Sequence, residues 1–174
     1  MRIVAIILTT CLFAVSCTQG QNGAGKKNRR NSTAEKAVSF MQEHLKNQVS
    51  NPEIEVVAGG MITIRGAGRG FVIDPAKVLT GSIDSDELED AIMPVYSLSG
   101  QSLAWYEYLV LLQSSSEFVI AATMNNVMTV NDITDGIITA EISTVPPDAP
   151  GFGCEECRMT VRYRYVNGEL TEVQ

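Results

Sequence analysis

From Thr33 onward the apolar residues return at helical spacing: Ala34, Val38, Met41 and Leu45 fall on one stripe, with Ala37 beside it. Ser32 and Glu35 have the spacing of a capping box ahead of that stripe, and Asn51-Pro52 ends it. The pattern predicts a helix over residues 33–48. The period then changes to two. Ile54, Val56, Ile62 and Ile64 share one face only if Ala58-Gly59-Gly60 forms the whole loop, which sets Val56 against Ile62, Ile54 against Ile64 and Glu53 against Arg65. A tighter Gly-Gly turn would put Ile54 and Ile64 on opposite faces. All four apolar residues are expected to face the core.

A glycine-rich turn at residues 66–70 leads to Phe71-Val72-Ile73. The acidic residues 84–93 are expected to form a short helix, with Leu88, Ala91 and Ile92 inward and Pro94 as its stop. Residues 103–112 are apolar on both faces and carry Trp105, Tyr106 and Tyr108, the pattern of a central buried strand. Strands are also expected at Phe118-Val119-Ile120 and from Asp135-Gly136 to Val145. Asn167-Gly168 signals a type I′ turn between strands at 158–166 and 169–173. One helix followed by antiparallel meanders gives the fold class α+β: an N-terminal helix packed on a curved, mostly antiparallel sheet, in one domain. This outline is similar to cystatin-like cones, a likeness of fold that carries no function.

Ahead of the helix the chain reads differently. Arg2 is followed by an almost wholly apolar run from residue 3 to residue 15, and Ala14-Val15-Ser16 places small residues before Cys17. The run is too short to cross a bilayer as a helix, which takes about 20 residues. A charged start, a short apolar run and a small-residue end have the form of an export signal. The competing reading, a buried N-terminal helix, needs neither the charge nor the small residues. Ala14-Val15-Ser16-Cys17 resembles the lipobox of bacterial lipoproteins, with Ala14 where that family more often has leucine. The resemblance covers residues 1–17. It implies removal of residues 1–16 as a signal peptide, acylation of Cys17 with fatty chains such as palmitate, and a lipid-anchored protein of the cell envelope. Thr18, where enteric lipoproteins carry Asp for inner-membrane retention, implies the outer membrane.

Charge divides what remains. The chain has 174 residues, 13 basic and 20 acidic. Arg2, Lys26, Lys27, Arg29 and Arg30 all precede Ser32 and no acid does, so residues 32–174 hold eight cations against 20 anions, a formal −12. Residues 17–31 are rich in Gly and polar side chains and are expected to be a flexible basic linker. Four cations near a lipid anchor would each favour anionic headgroups by about 1 kcal/mol, or serve only as a soluble spacer. Residues 32–174 are expected to be one domain, large enough for a core of its own. Its acidity argues against nucleic acid as a partner, since such binders present basic patches.

Once Cys11 leaves with the signal and Cys17 is acylated, Cys154 and Cys157 remain, and in an exported protein they are expected to bond to each other. A redox role is disfavoured, because Glu155 and Glu156 between the sulfurs oppose a thiolate. A zinc site would need four ligands where the chain offers two cysteines and His44. His44 sits at the edge of the helical stripe, and no Gly-x-Ser-x-Gly elbow exists to pair it with a serine. Asp84, Asp86, Glu87, Glu89 and Asp90 have the acids of a calcium loop, but Glu89 stands where an EF-hand has glycine. No catalytic residue, cofactor or metal is assigned.

Two surfaces remain. The loop at 146–153 carries three prolines and presents Phe152, with the expected disulfide beside it; it reads as a plain connector or as a stiff recognition loop. Arg158, Arg162 and Arg164 line one face of a strand, where they are expected to pair with carboxylates across the sheet or, alternatively, to meet an anionic ligand. The functional expectation is a non-catalytic, lipid-anchored binding module for a protein partner, an assembly subunit or inhibitor. The alternative is a cone-shaped pocket protein or enzyme whose cavity is lined by Trp105, Tyr106, Tyr108 and the arginines. A thiol–disulfide protein ranks last.

Overall fold

The fold is organised by two neighbouring strands, one buried on both faces along most of its length and the other over its second half. A computed structural model describes residues 22–100, 102–146, 149–152 and 154–173, with residues 22–31 by backbone only. Its elements are α1 (Asn22–Lys46), β1 (Glu53–Val56), β2 (Ile62–Gly66), β3 (Arg69–Ile73), β4 (Leu79–Gly81), β5 (Asp90–Ser99), β6 (Ser102–Ser114), β7 (Glu117–Met124), β8 (Val127–Thr134), β9 (Ile137–Ser143), β10 (Arg158–Val166) and β11 (Glu169–Val173). Every strand pair is antiparallel. A seven-stranded sheet runs β1-β2-β3-β5-β6-β7 with β4 also on β5, and a four-stranded sheet runs β11-β10-β9-β8. One helix and two antiparallel sheets make a mostly β protein compatible with an α+β class. Residues 1–16, expected to be a signal peptide, and Cys17 and Thr18 lie outside the described residues.

On one side of β5 and β6, Ala91, Met93, Val95, Leu109 and Leu111 share a buried cluster with Ala37, Met41 and Leu45 of α1. On the other side, Ile92, Tyr108, Val110 and Leu112 pack with Val130, Ile133, Ile138, Ala140 and Val161 of the second sheet. Both strands therefore read as continuous apolar runs, as strands covered on both faces do. Each Val, Leu, Ile or Met among them, when fully buried, stabilises the fold by about 1.5–3 kcal/mol.

Local turn chemistry behaves as expected. β1 and β2 pair Val56 with Ile62, Ile54 with Ile64 and Glu53 with Arg65, the register of the longer loop. Asn167 and Gly168 take φ of 53° and 90° between Val166 and Glu169, and Asp135-Gly136 turns in the same way between β8 and β9. The core assignment for β1 is corrected, however. Ile64 is buried, but Ile54 is 40% and Val56 69% exposed, because β1 is the edge of its sheet and α1 covers only the strands inside it.

Three further expectations are corrected. No capping box forms at Ser32, because α1 begins at Asn22 and passes through it; from Asn22 the expected linker is helix, in which Lys and Arg are good formers. Thr33 instead donates its hydroxyl to Glu89 Oε2 at 3.1 Å. Residues 84–93 are not a helix. Asp84 and Asp86 accept the amides of Asp86 and Leu88 at 3.2 and 2.9 Å, and Ser85 and Glu87 have positive φ, so short Asx turns replace helical hydrogen bonds. From Asp90 the chain is strand. Pro94 is inside β5, opposite Tyr108. On its other side β3 stops pairing at Val95 and β4 starts at Ile92, so the ladder is open where Pro94 lacks its N–H. Finally, β6 is buried only in its second half, while Leu103 and Trp105 are exposed.

Asp90 is fully buried and its carboxylate accepts the amides of Ile83 at 2.7 Å and Gln113 at 2.9 Å, tying the acidic loop to the end of β6. Burial raises its pKa to about 6, against the pull of those two amides. A carboxyl whose pKa is higher folded than unfolded stabilises most below its unfolded value, and that contribution is lost as pH rises through the folded value. Denaturation midpoints should therefore rise as pH falls from 7 toward 5, with a carboxyl resonance titrating near 6 by NMR. Asp90→Asn should be less stable throughout, offering one acceptor to two amides, and should lose this part of the slope.

The sheets meet closely at Gly81 of β4, where an added Cβ would lie 2.8 Å from Ile133 Cγ2 of β8. Gly81→Ala should cost about 1–3 kcal/mol by equilibrium unfolding. The same change in an Ile133→Ala background should cost about as much, because the Cβ of residue 133 at 2.9 Å and its backbone oxygen at 3.2 Å remain in the way.

Candidate functional site

β6 outlasts its neighbour. Its 13 residues pair with β5 along nearly their whole length, but with β7 only over residues 108–114. The first pair on that side is Tyr108 with Met124. Just beyond Met124 the chain turns away, with Asn126 at φ 60°, and starts β8 in the other sheet. Among the described residues, no strand flanks residues 102–107 of β6 on the β7 side. Leu103 is accordingly 57% exposed and Trp105 48%.

The space left open is a groove of about 380 Å³. Leu103, Trp105 and Tyr106 form one wall; Asn125, Asn126 and the half-buried Phe152 form another. Phe152 is held from several directions. Its amide donates to the carbonyl of Ala149 at 3.2 Å, and the amide of Cys154 donates to Gly151 at 3.0 Å. Cys154 and Cys157 are joined by a disulfide with Cα atoms 5.1 Å apart. The Thr144 amide and hydroxyl both donate to the Cys157 carbonyl, at 2.7 and 3.0 Å, pinning the loop to the end of β9.

Tyr106 also walls a second groove, of about 360 Å³, with Tyr96, Tyr108, Lys77 and Thr129. Lys77 Nζ donates to Tyr96 Oη at 3.0 Å and lies 3.7 Å from Asp74 Oδ2; the bond to Tyr96 is the main reason its pKa is raised. Burial raises the pKa of Tyr106 and of Tyr108, so both phenols stay neutral donors at physiological pH. The pair of grooves thus offers aromatic surface, hydroxyls and amides.

The structure brings Trp105 and Phe152 together from distant parts of the chain and places Arg158 close enough for its charge to act on Tyr106. Arg158 is also paired across the sheet with Glu141 at 3.7 Å. Arg162 and Arg164 stay on the exposed face of β10, opposite Thr139 and Ile137 of β9, and line neither groove. Asp84, Asp86 and Asp90 bring carboxylate oxygens within 4.8 Å of one another, but each accepts a backbone amide. They are read as turn and strand supports. His44 stacks on Phe40 and lies 2.8 Å from Gln48 Nε2, as a boundary residue would.

No family model, curated protein or solved structure matches this chain. Its reading therefore rests on the geometry above. Sequence reasoning missed Asn125, Asn126 and Thr144. The Asn-Asn pair was available as a turn signal. Thr144 had no signal, since its role depends on where Cys157 arrives.

Replacing Cys154 and Cys157 by Ser removes a bond that closes a very short loop, so global stability should fall by at most about 2 kcal/mol. The local effect should be larger: amides of Phe152 and Cys157 should exchange markedly faster with deuterium, while those of the β10–β11 hairpin stay protected.

Proposed function

We propose that this protein is a non-catalytic binding module, anchored by lipid on Cys17 in the cell envelope and on the outer-membrane side, that engages a protein partner through the Trp105–Phe152 groove. The observation that carries the reading is the exposed apolar wall of that groove, with Leu103 57% and Trp105 48% exposed beside an aromatic on a stapled loop. Large apolar side chains clustered in a concave surface are what docking sites are made of. Holding Phe152 in place before binding limits the entropy lost on docking. A disulfide also suits an exported protein, which the lipobox-like residues at 14–17 imply.

In this reading α1 covers one face of a curved seven-stranded sheet and the second sheet covers the other. The alternative, a small ligand enclosed between layers, is disfavoured by the packing there. Tyr108, Val110, Ile138, Ala140 and Val161 fill the space between the sheets.

The test has two arms. Mass spectrometry of the native protein should find Cys17 as an acylated N-terminus, and Cys17→Ser should release the chain from the membrane; a native chain beginning at unmodified Met1 removes the anchor. A photo-reactive residue in place of Leu103 should give one discrete cross-linked product in envelopes, and the same probe at Glu117 should not. Trp105→Ala should lower that yield at least about tenfold, as loss of a buried tryptophan anchor does.

A further inference from the structure

The groove is also the place where β6 has lost its neighbour, and this says in what form a partner arrives. No described backbone group hydrogen-bonds to residues 102–107 from the β7 side. Residues 103–106 line the same groove as Phe152, so the side of β6 that β7 leaves unpaired opens onto it. An exposed sheet edge of this kind is a template for another extended chain.

We propose that the partner contributes an extended segment that enters the groove as a strand added to β6, continuing the line that β7 leaves after Met124. This rests on the binding-module reading above and specifies its partner. Pairing would run on from the Tyr108–Met124 pair along Glu107, Tyr106 and Trp105. It stops there as regular ladder, because Ala104 is the extra residue of a bulge: β5 sets Ser97 against Trp105 and Leu98 against Leu103. Beyond Trp105 the contact passes to side chains, with Leu103 and Phe152 receiving an apolar residue of the segment. Since successive residues of a strand point to opposite sides, every second residue of the segment faces this apolar wall.

The walls restrict the occupant further. An α-helix is about 10 Å across with its side chains, and its backbone groups are already paired, so it would leave the β6 edge unmet. A second copy of this chain would bring a whole sheet edge with its own neighbouring strand. Asn125, Asn126 and Phe152 also line the groove, and a second sheet would have to displace them. A single strand with free flanks fits. Proline is excluded at positions that must donate to β6. The body's formal −12, with Glu155 and Glu156 exposed just after Phe152, favours Lys or Arg in the flanks.

The experiment selects decapeptides from a random library on the full-length protein with its disulfide intact, then measures binding of the recovered peptides with N-methyl groups placed at successive positions. Apolar residues should alternate in the recovered sequences. N-methylation should weaken binding tenfold or more at every second position of the core and hardly at all between. Bound peptide should slow hydrogen exchange at amides among residues 105–107, and raised salt should weaken it. If N-methylation shows no period of two and those amides stay unprotected while Trp105→Ala still abolishes binding, strand addition is wrong and the groove stands as a docking site. If the peptides bind Trp105→Ala as well as the native protein, or none is recovered, both readings fall. Unfolding midpoints of Trp105→Ala equal to those of the native protein show that the loss is local.

Discussion

Burial of β5 and β6 on both faces is the condition the rest of the molecule satisfies. A strand with one apolar face needs one cover, whereas these two need α1 on one side and a second sheet on the other. Chain order follows from that need. The helix comes first and covers Met93, Leu109 and Leu111; β8 to β11 come last and cover Ile92, Tyr108 and Val110. β4 and Gly81 hold the sheets at close range, where any side chain larger than hydrogen would meet Ile133. The cost of the arrangement appears at Asp90, a carboxylate at the start of β5 that is buried with the rest and needs two amides to be tolerated there.

The same condition separates what the sequence could reveal from what it could not. Hairpins were legible because their chemistry is local: three residues between Val57 and Met61 fix a register by parity alone, and Asn167-Gly168 accepts positive φ at both positions. Coverage was not legible. Ile54 and Val56 lie on the same face as Ile64 and have the same apolar character, yet remain exposed, because whether α1 reaches β1 depends on where the helix lies across the sheet. Residues 84–93 misled for a related reason. Acids ahead of apolar residues suit a helix start, but Asp84 and Asp86 satisfy amides two residues on, and Ala91, Ile92 and Met93 are claimed by opposite faces of one strand. Pro94 looked like a stop because the gap between β3 and β4 cannot be seen in the sequence.

For the groove, the residues were visible one at a time and their meeting was not. Trp105 stood out as the single tryptophan in an apolar run, and Phe152 as an aromatic beside a stapled turn. What joins them is the early end of β7 at Met124, set by the turn through Asn126 into another sheet. The arginine row shows the opposite outcome. Strand parity put Arg158, Arg162 and Arg164 on one face, as found, but only Arg158 lies at the end of β10 near the groove, and it is held by Glu141.

A short added strand is a weak ligand by itself. A few paired residues and one apolar anchor return only part of the entropy lost in fixing a flexible segment, since a typical protein hydrogen bond nets about 1 kcal/mol. In the proposed arrangement the anchor supplies what the contact lacks. Where the partner is held at the same membrane, docking becomes a local event with an effective concentration of order millimolar. An affinity that is modest between dilute molecules then suffices, and the contact remains easy to release. The stiffness of the Phe152 loop and the weakness of a short edge are consistent with each other on those terms: specificity comes from the shape of the groove, and occupancy comes from confinement.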